Sequence, residues 1–367
     1  MKIECSKASL LNGVSVVSKA VPSKTTLSIL QCILIKASKG VITLTANDME
    51  LGIETKIEGN IIKEGNVALD AKFFSEIVRK LPDNTITIDV DDNFVTKIVC
   101  ENTKFNLTGK DGNEFSDLPK INKINSILVS EYSLKELIKQ TSFCLGTNLP
   151  NPIMNSELMH IKDDVLEMVA LDGHRIAYRK INLSNVYPET KIIIPGKTLN
   201  EIERILSGDV NKEVVIFIEK NHVLFELDNT LVISRLVDGE YFDYEKMLIN
   251  DYETKVHVNK KNLYESIDRG TLVIREGDKK PIIFQVRDSV VNLSITTLVG
   301  NMNEDVLINK SGKDMDIAFN PSFLLDTLKV LDEEEIDLYL VSPKNPCIIK
   351  NEDSSYVYLI LPVNFVK

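Results

Sequence analysis

A chain of 367 residues is too long for one ordinary hydrophobic core, so its length predicts two or three domains. Hydrophobic residues make up 43% and charged residues 26%, a composition that excludes a disordered chain. The net charge of −11, from 43 basic against 54 acidic residues, speaks against a protein that grips nucleic acid through many direct phosphate contacts.

Cysteine spacing and apolar stretches indicate the compartment. The five cysteines are scattered, odd in number and never spaced as Cys-x-x-Cys, which argues against a disulfide framework or a zinc site. Lys7 and polar residues interrupt any signal-peptide-like run, and the longest apolar stretch, near 356–363, is far too short to span a bilayer. We therefore expect a soluble cytoplasmic protein with no membrane partner.

The first third of the chain predicts two helices and several strands. Residues 6–20 form the first predicted helix, and 44–54 form an element whose sequence resembles that of 168–179. A second helix is predicted over 70–81, followed by strands at 85–90 and 94–99. The apolar face of this second helix consists of Phe73, Phe74, Ile77, Val78 and Leu81.

The same order of elements returns twice. In the second third the elements fall at 133–143, 168–179, 196–207, 214–218 and 223–227. In the last third they fall at 259–269, from Leu293 onward, 320–331, 336–341 and 347–350. Leu81, Leu206 and Leu331 close the three second helices at intervals of 125 residues. A period of this length is too long for a solenoid repeat and indicates tandem domains.

Two helix starts carry capping signals. Ser133 and Glu136 are spaced as a capping box, and Asn320 precedes Pro321 as a capping residue precedes a proline at the first helical position. Together with the repeat, these elements predict an α+β fold of three tandem similar domains, each with two helices on antiparallel sheet. We place the domains at 1–127, 128–251 and 252–367.

Motifs for catalysis or cofactor binding are weak. Residues 192–198 resemble the end of a nucleotide-binding loop, but Lys191 stands where the motif needs glycine. Residues 89–93 begin like a calcium loop, but Phe94 replaces the required glycine, so a hairpin turn is the better interpretation. The acidic run 332–335 is typical of a charged turn. We predict no catalytic residue, metal or cofactor; an enzyme with an unusual site and a plain scaffold remain the alternatives.

Two longer blocks carry a family resemblance. Residues 170–177 (ALDGHRIA) and 234–244 (SRLVDGEYFDY) are similar to the signature of bacterial sliding clamps, the beta subunits of DNA polymerase III. Further blocks agree in order and spacing at 27–30, 70–74, 192–195, 315–331 and 358–363. The resemblance covers the whole chain. It implies a non-catalytic processivity factor in which two crescents of three domains join head to tail into a ring around duplex DNA.

The resemblance also implies that the helices line the hole of the ring, which resolves the objection from charge. The predicted pore-side segments carry a net charge of +4, which leaves −15 on the rest of the chain; these segments are 6–20, 70–81, 130–143, 196–207, 259–270 and 320–331. A closed ring is retained on DNA topologically, so weak, screened contacts suffice. Lys24 stands where the family has a basic DNA-contacting residue. The candidates for DNA contact are Lys7, Lys19, Lys24, Lys72, Arg79, Lys80, Lys139, Lys197, Arg204, Lys260, Lys261 and Arg269.

In the family, a groove between the second and third domains receives a short peptide from polymerases and the clamp loader. The implied partners are replicative DNA polymerase, the clamp loader, repair polymerases and mismatch-repair proteins. An apolar cleft with a few polar groups suits peptide anchors, and methionine adapts to several partners. Carried over residue by residue, the wall is Met154, Leu171, Gly173, His174, Arg175, Ile176, Phe242, Met247, Leu359, Leu361, Pro362 and Val363.

The chain departs from the family pattern at the groove. Many members have proline where Phe242 stands, a basic residue near Asn364, and Arg-Pro where Asn151-Pro152 stands. A larger side chain at 242 and a missing cation at 364 would reshape the rim. We therefore expect an altered preference for partner peptides.

The resemblance places the ring junction between the first and third domains of neighbouring copies. Its expected basic positions are Lys72 and Lys104, and the only acidic residues opposite are Glu304 and Asp305. Because few charges face each other, we expect a homodimer that weakens only modestly with salt. The apolar residues of the patch are Phe105, Leu107, Leu272 and Val273.

Overall fold

The chain folds into two compact units, each built from two segments of the polypeptide. In a computed structural model that describes residues 1–146, 149–248, 251–275 and 277–365, one unit comprises 1–132 and 204–236 and the other 133–203 and 237–367. The domain boundary predicted near 251 borders 249–250, which lie outside the described residues.

Helices and strands alternate along the described chain. The helices are α1 (Lys7–Val17), α2 (Ala71–Lys80), α3 (Glu131–Lys139), α4 (Gly196–Ile205), α5 (Lys260–Thr271) and α6 (Pro321–Val330). The strands are β1 (Lys2–Ser6), β2 (Cys32–Ser38), β3 (Val41–Asn47), β4 (Leu51–Ile57), β5 (Asn60–Lys63), β6 (Gly65–Asp70), β7 (Thr85–Val90), β8 (Val95–Cys100), β9 (Thr103–Thr108), β10 (Ile127–Ser130), β11 (Ser156–Leu171), β12 (Arg175–Pro195), β13 (Glu213–Ile218), β14 (His222–Leu227), β15 (Thr230–Arg235), β16 (Thr254–Asn259), β17 (Ile282–Val286), β18 (Val290–Thr296), β19 (Asn301–Gly312), β20 (Met315–Phe319), β21 (Glu335–Leu340), β22 (Cys347–Lys350) and β23 (Tyr356–Ile360).

The first unit contains two antiparallel sheets. One has five strands in the order β5-β1-β7-β8-β9, and the other has eight in the order β10-β13-β14-β15-β4-β3-β2-β6. Within the larger sheet β15 pairs with β4, from Thr230 opposite Thr55 to Ser234 opposite Leu51. This strand pair joins a segment from the second predicted domain to a segment from the first.

The second unit is built on one sheet of ten strands, in the order β11-β12-β23-β22-β21-β16-β19-β18-β17-β20. Here β12 pairs with β23, from Arg175 opposite Ile360 to Arg179 opposite Tyr356. The pair joins the second and third predicted domains through backbone hydrogen bonds, as β15 and β4 join the first and second.

Each helix follows a strand almost without a loop. The residue that caps the helix is therefore the last residue of the strand or the one after it. The side chains of Ser6, Asp70, Asn259 and Asn320 accept hydrogen bonds from backbone N–H groups at the starts of α1, α2, α5 and α6. The predicted capping by Asn320 before a proline is thereby confirmed.

The capping box predicted at Ser133 is wrong. β10 pairs with β13 through Ser130, and α3 begins at Glu131, so Ser133 lies inside the helix. The strand leads directly into the helix and fixes its start two residues earlier than the sequence pattern indicated. Ser130, the residue before the helix, is of a type preferred at that position.

The helices bury one face against the sheets. In α2, Phe74 and Val78 are fully buried, as is Leu81 just beyond the helix, whereas Phe73 is 61% exposed. Phe73 was predicted on the buried face. The i, i+4 spacing of Phe74 and Val78 aligns them on the core side, and Phe73 falls one residue off this stripe.

Candidate functional site

An open apolar cleft of about 510 Å³ lies in the second unit. Its lining comes from β11, β12 and β23, from residues just before β11 and β22 and just after β23, from the turn between β11 and β12, and from the segment after β15. The residues that line it are Met154, Leu171, Gly173, His174, Arg175, Ile176, Phe242, Lys246, Met247, Pro346, Leu359 and Leu361. Its volume and apolar character suit a small ligand or the anchor side chains of a peptide.

The floor of the cleft is sheet. Ile176 on β12 lies opposite Leu171 on β11 and opposite Leu359 on β23. Residues opposite one another in antiparallel strands point to the same face, so these three side chains form a continuous apolar surface. All three are buried in one hydrophobic cluster, and Met154 and Phe242 pack against it. A rigid sheet therefore carries the floor.

One wall of the cleft is the segment 237–248, which we call the wall segment. It contributes Phe242 and Met247 and contains one short 3-10 turn, Glu245–Met247. Its start is fixed by a hydrogen bond from Val237 N to Ile193 O of 2.9 Å. Further along, the Tyr241 hydroxyl donates to the Val169 carbonyl at 2.9 Å. Burial raises the pKa of this hydroxyl, which keeps it a donor at neutral pH.

The turn between β11 and β12 closes one end of the cleft. Oδ1 of Asp172 accepts the backbone N–H of His174 at 2.9 Å and that of Arg175 at 3.1 Å. Gly173 takes φ +88°, a left-handed conformation that favours glycine. The block Asp-Gly-His-Arg therefore forms a tight turn, and this turn does not require a bound partner.

Arg175 is held by the protein itself. Its guanidinium donates to Asp172 Oδ2 at 3.0 Å, to Asp326 Oδ2 at 2.7 Å and to the Phe143 carbonyl at 2.8 Å. The rings of Phe143 and Phe323 lie 5.5 and 4.5 Å from its central carbon. A planar group with several fixed donors suits this position, where only 8% of the residue is exposed. Arg175 thus fixes the end of the cleft, and it presents little surface to a ligand.

The predicted wall differs from the observed lining at three places. All predicted residues except Pro362 and Val363 line the cleft. The chain turns away after Leu361, and Val363 N donates to the Ala318 carbonyl at 2.7 Å. Lys246 and Pro346 line the cleft and were missed. Lys246 lies one position from the predicted Met247, which was the available signal, whereas nothing near Pro346 in the sequence marked it.

Several candidates for DNA contact already bind protein atoms. Lys7 donates to the Leu81 carbonyl and Lys260 to the Leu331 carbonyl. Lys139 pairs with Glu136 at 3.2 Å. Lys261 pairs weakly with Glu265. Among the described residues, Lys24, Lys72, Arg79 and Lys80 are exposed and form no hydrogen bond or ion pair. The others, Lys19, Lys197 and Arg204, have partners within the chain.

Arg269 is bound to Glu304, which had been assigned to the ring junction. The guanidinium lies 2.5 Å from Glu304 Oε1 and 3.0 Å from Oε2. The Ser266 hydroxyl donates to the same carboxylate at 2.6 Å. These hydrogen bonds lower the pKa of Glu304, with that from Arg269 the larger cause. Asp305 accepts a hydrogen bond from Asn292 at 2.7 Å. The predicted acidic side of the junction is therefore engaged within its own chain.

The predicted apolar junction residues lie at the surface of their units. Leu272 is 83% exposed and Phe105 38% exposed, while Leu107 and Val273 are half-buried. Close in sequence to the acidic positions, Leu298 is 99% exposed. Lys72 and Lys104 are exposed as well. Large apolar side chains this exposed are typical of a surface that another molecule covers.

The motifs set aside in the sequence have ordinary structural roles. At 192–198, β12 passes directly into α4 at Gly196, where an added Cβ would lie 2.9 Å from the Asn155 carbonyl oxygen. Asp91 accepts the N–H groups of Asn93 and Val95 and closes the hairpin between β7 and β8. Within the described ranges no cluster of His, Cys, Asp and Glu could hold a metal, and no helix is long and apolar enough to cross a membrane.

Models of one family match the chain from end to end. Residues 1–119 match the N-terminal domain of the DNA polymerase III beta subunit, 128–243 its central domain, and 245–364 its C-terminal domain.

Individual relatives give the same result. The beta sliding clamp of Staphylococcus epidermidis is 34% identical over 364 residues, which cover 96% of each chain. A crystal structure of a putative DNA polymerase III beta subunit from Eubacterium rectale is 53% identical, with a TM-score of 0.96 over 100% of both chains. The DNA polymerase sliding clamp of Bacillus subtilis is 34% identical, with a TM-score of 0.95 over 100% of both chains. The chain therefore belongs to the family of DNA polymerase III beta subunits, the beta sliding clamps.

Proposed function

We propose that two copies of this chain close head to tail into a ring around duplex DNA and act as a non-catalytic processivity factor in the cytoplasm. The observation that carries this proposal is a repeated junction. β15 pairs with β4 in one unit, β23 pairs with β12 in the other, and each pair joins successive domains. A junction of the same kind, formed twice between two copies, would close the ring.

The two strands needed for that junction are present and have unpaired edges. β9 is the last of three successive antiparallel strands, β7, β8 and β9. β15 and β23 hold the same place after β13 and β14 and after β21 and β22. Within the described chain β9 pairs only with β8. β19 follows β18 as β4 follows β3, and its first part, Asn301–Leu307, pairs only with β18 among the described residues. Pairing of β9 with β19 of a second copy would hide both edges, which otherwise invite aggregation.

The charge distribution supports a ring that slides. A net charge of +4 on the helical segments and −15 elsewhere favours weak attraction of DNA to the helices and repulsion from the rest. Lys24, Lys72, Arg79 and Lys80 have no partner within the described part of the chain and are available to phosphates. The other basic candidates would contact DNA while their side chains also bind groups of the protein. A few exposed lysines and arginines would not oppose sliding, since exposed charges are screened.

The apolar cleft is the site proposed for partner proteins. Its sheet floor and its two methionines, Met154 and Met247, suit apolar anchor side chains of several different peptides. The partners we propose are the replicative polymerase, the clamp loader, repair polymerases and mismatch-repair proteins. Each would present a short segment with apolar side chains that leaves the rest of the partner free to act on DNA.

Retention on nicked circular DNA tests the ring. The protein is incubated with the circle, a cognate clamp loader and ATP, and complexes are isolated in high salt before and after linearisation. Salt-resistant retention that is lost on linearisation is the expected result, because only topology then holds the protein. Retention that survives linearisation, or that salt alone abolishes, would contradict encirclement.

A further inference from the structure

A half-buried carboxylate lies behind the wall segment and binds three side chains. Glu167 on β11 accepts a hydrogen bond from the Tyr178 hydroxyl at Oε1, 2.7 Å away. The Tyr244 hydroxyl, in the wall segment, donates to Oε2 at 2.6 Å. The His160 ring nitrogen Nδ1 lies 3.0 Å from the same oxygen. One carboxylate thus links β11, β12 and the wall segment.

Tyr244 is the inner anchor of the wall segment. Only 4% of the residue is exposed, and its ring stacks on Tyr178 with centroids 6.0 Å apart. Burial, followed by the hydrogen bond to Glu167, raises the pKa of both hydroxyls, so both are donors at neutral pH. A buried hydroxyl that loses its acceptor destabilises the folded protein. The pairing with Glu167 therefore selects one position for Tyr244.

The backbone connects this anchor to the cleft. Phe242 precedes Tyr244 by two residues, and Met247 N donates to the Tyr244 carbonyl at 2.9 Å. The wall segment has no sheet partner of its own among the described strands. Side chains must then determine where its cleft residues lie, and Tyr241 and Tyr244 are the two tyrosines that bind β11.

We propose that Glu167 is a positioning residue for the cleft: by holding Tyr244, it sets the place of Phe242 and Met247 and so the affinity for partner peptides. This inference rests on the proposed function of the cleft and adds residues that do not themselves line it. His160 and Tyr178 bind the same carboxylate.

His160 ties the network to a second carboxylate. Its Nδ1 lies 3.0 Å from Glu167 Oε2 and 3.2 Å from the Tyr244 hydroxyl oxygen, and its Nε2 lies 3.1 Å from Glu189 Oε1 on β12. The hydrogen bond with His160 lowers the pKa of Glu189. The imidazole ring thus connects Glu167 and Tyr244 to β12.

Peptide affinity of matched tyrosine variants tests the proposal. The probe is a fluorescein-labelled peptide from the clamp-binding segment of the replicative polymerase, and its Kd is measured by fluorescence polarisation. Tyr244→Phe and Glu167→Gln are expected to weaken binding about tenfold, the loss that corresponds to one charged hydrogen bond. The control is Tyr358→Phe, because the Tyr358 hydroxyl is buried in the same unit without a partner. Wild-type affinity in both Tyr244→Phe and Glu167→Gln would overturn the proposal.

A second measurement separates positioning from general destabilisation. The chain contains no tryptophan, so Phe242→Trp places a single reporter on the wall segment. Without peptide, Tyr244→Phe in this background is expected to increase quenching by acrylamide, whereas Tyr358→Phe leaves it unchanged. Equal quenching in all three proteins would contradict a positioning role.

The outcomes for the two proposals are distinguishable. If wild-type protein fails to bind the peptide at all, the cleft is not a partner site and the proposed function loses its tethering step. The quenching experiment uses no peptide, so it still decides whether Glu167 and Tyr244 fix the wall segment.

Discussion

Glu157 has an unusual environment for a carboxylate. It lies on β11 with no exposed surface, and the Thr141 hydroxyl donates to Oε1, while Oε2 has no hydrogen-bond partner in the described structure. Burial raises its pKa to about 8, against 4.5 for an ordinary glutamate. The carboxyl is therefore protonated in the folded protein at neutral pH, where the unfolded chain would ionise it.

This shift makes stability depend on pH. Because the folded form binds the proton more tightly, the full stabilisation is present below pH 4.5 and is lost as pH rises through about 8. We expect the free energy of unfolding to fall by on the order of 4 kcal/mol over that range. Glu157→Gln should remove this contribution, as measured by urea denaturation at several pH values. The exposed Glu352→Gln serves as control; equal pH slopes in wild type and Glu157→Gln would refute the assignment.

At the cleft, Phe242 is the residue whose replacement should change partner preference. Its side chain forms part of the cleft wall, and a proline at this position would fill less of the cleft. We expect Phe242→Pro to reorder the affinities of a panel of partner peptides by roughly fivefold to tenfold, equivalent to about 1 kcal/mol. Tyr358→Phe is again the control, because Tyr358 lies in the same unit but does not line the cleft. A panel that keeps the same affinities would show that residue 242 does not select partners.

Sequence blocks predicted most of the cleft but not the contacts of Glu167 with Tyr178 and Tyr244. The floor and turn residues, such as Ile176 and Gly173, occur in contiguous motifs that the resemblance carried over. Glu167, Tyr178 and Tyr244 have no motif in common, because they meet only when β11, β12 and the wall segment pack together. Lys246 and Pro346 were missed for the same reason: a lining residue is defined by shape and not by local pattern.

In each domain, the first residue of the first helix (α1, α3 or α5) binds the C-terminal end of the second helix (α2, α4 or α6). Lys7 and Lys260 donate to the carbonyls of Leu81 and Leu331, at the C-terminal ends of α2 and α6. In the middle domain the position holds Glu131, which accepts the backbone N–H of Ser207 at 3.0 Å. A cation at a helix C-terminus satisfies carbonyls that lack partners and complements the helix dipole.

Replacing such a lysine should therefore affect stability. We expect Lys260→Met to lower the free energy of unfolding by about 1 kcal/mol, since it leaves the Leu331 carbonyl without its donor. Lys261→Met is the matched control, because Lys261 is exposed and makes only a 3.8 Å ion pair with Glu265. Denaturant unfolding measures both. Equal stability of the two variants would leave Lys260 as a DNA-facing charge without a structural role.

Helix and strand identities could be predicted from periodicity, and their ends less well. The second helices were predicted within two residues of α2, α4 and α6 at each end, because buried stripes with spacings of three and four are clear there. The strand predicted at 94–99 begins instead at Val95, since Phe94 takes φ +61° in the hairpin turn. A bulky residue in a left-handed conformation gives no warning in the sequence.

For the assembled molecule, the two junctions within the chain predict the register of the junction between copies. In the repeat, β9 corresponds to β15 and β19 corresponds to β4. Because Thr230 of β15 lies opposite Thr55 of β4, we expect Thr103 of β9 to lie opposite Glu304 of β19 in a second copy. Phe105 would then lie opposite Met302. The five natural cysteines are buried and free. The double variant Phe105→Cys, Met302→Cys should then oxidise to a covalent dimer, visible by non-reducing electrophoresis. The control pairs Phe105→Cys with Glu304→Cys; efficient cross-linking of the control alone would disprove this register.

The dimer should also respond weakly to salt. Glu304 and Asp305 are already bound within their own chain, and the exposed junction residues Phe105 and Leu272 are apolar. Salt screens exposed charges but not apolar burial. By light scattering, we expect the mass to stay dimeric from 0.05 to about 1 M sodium chloride, while Leu272→Asp gives monomers. A sharp change to monomer with salt in the wild-type protein would contradict an apolar junction.

Strand pairing at a junction has a consequence for cells that hold more than one such chain. Backbone hydrogen bonds are the same for every sequence, so β9 of one protein would accept β19 of a different clamp almost as well as its own. Discrimination between self and foreign subunits then rests on the few side chains that surround the pair, among them Phe105, Leu272 and Leu298. Divergence at those positions, more than anywhere else along the strands, would decide whether mixed rings form.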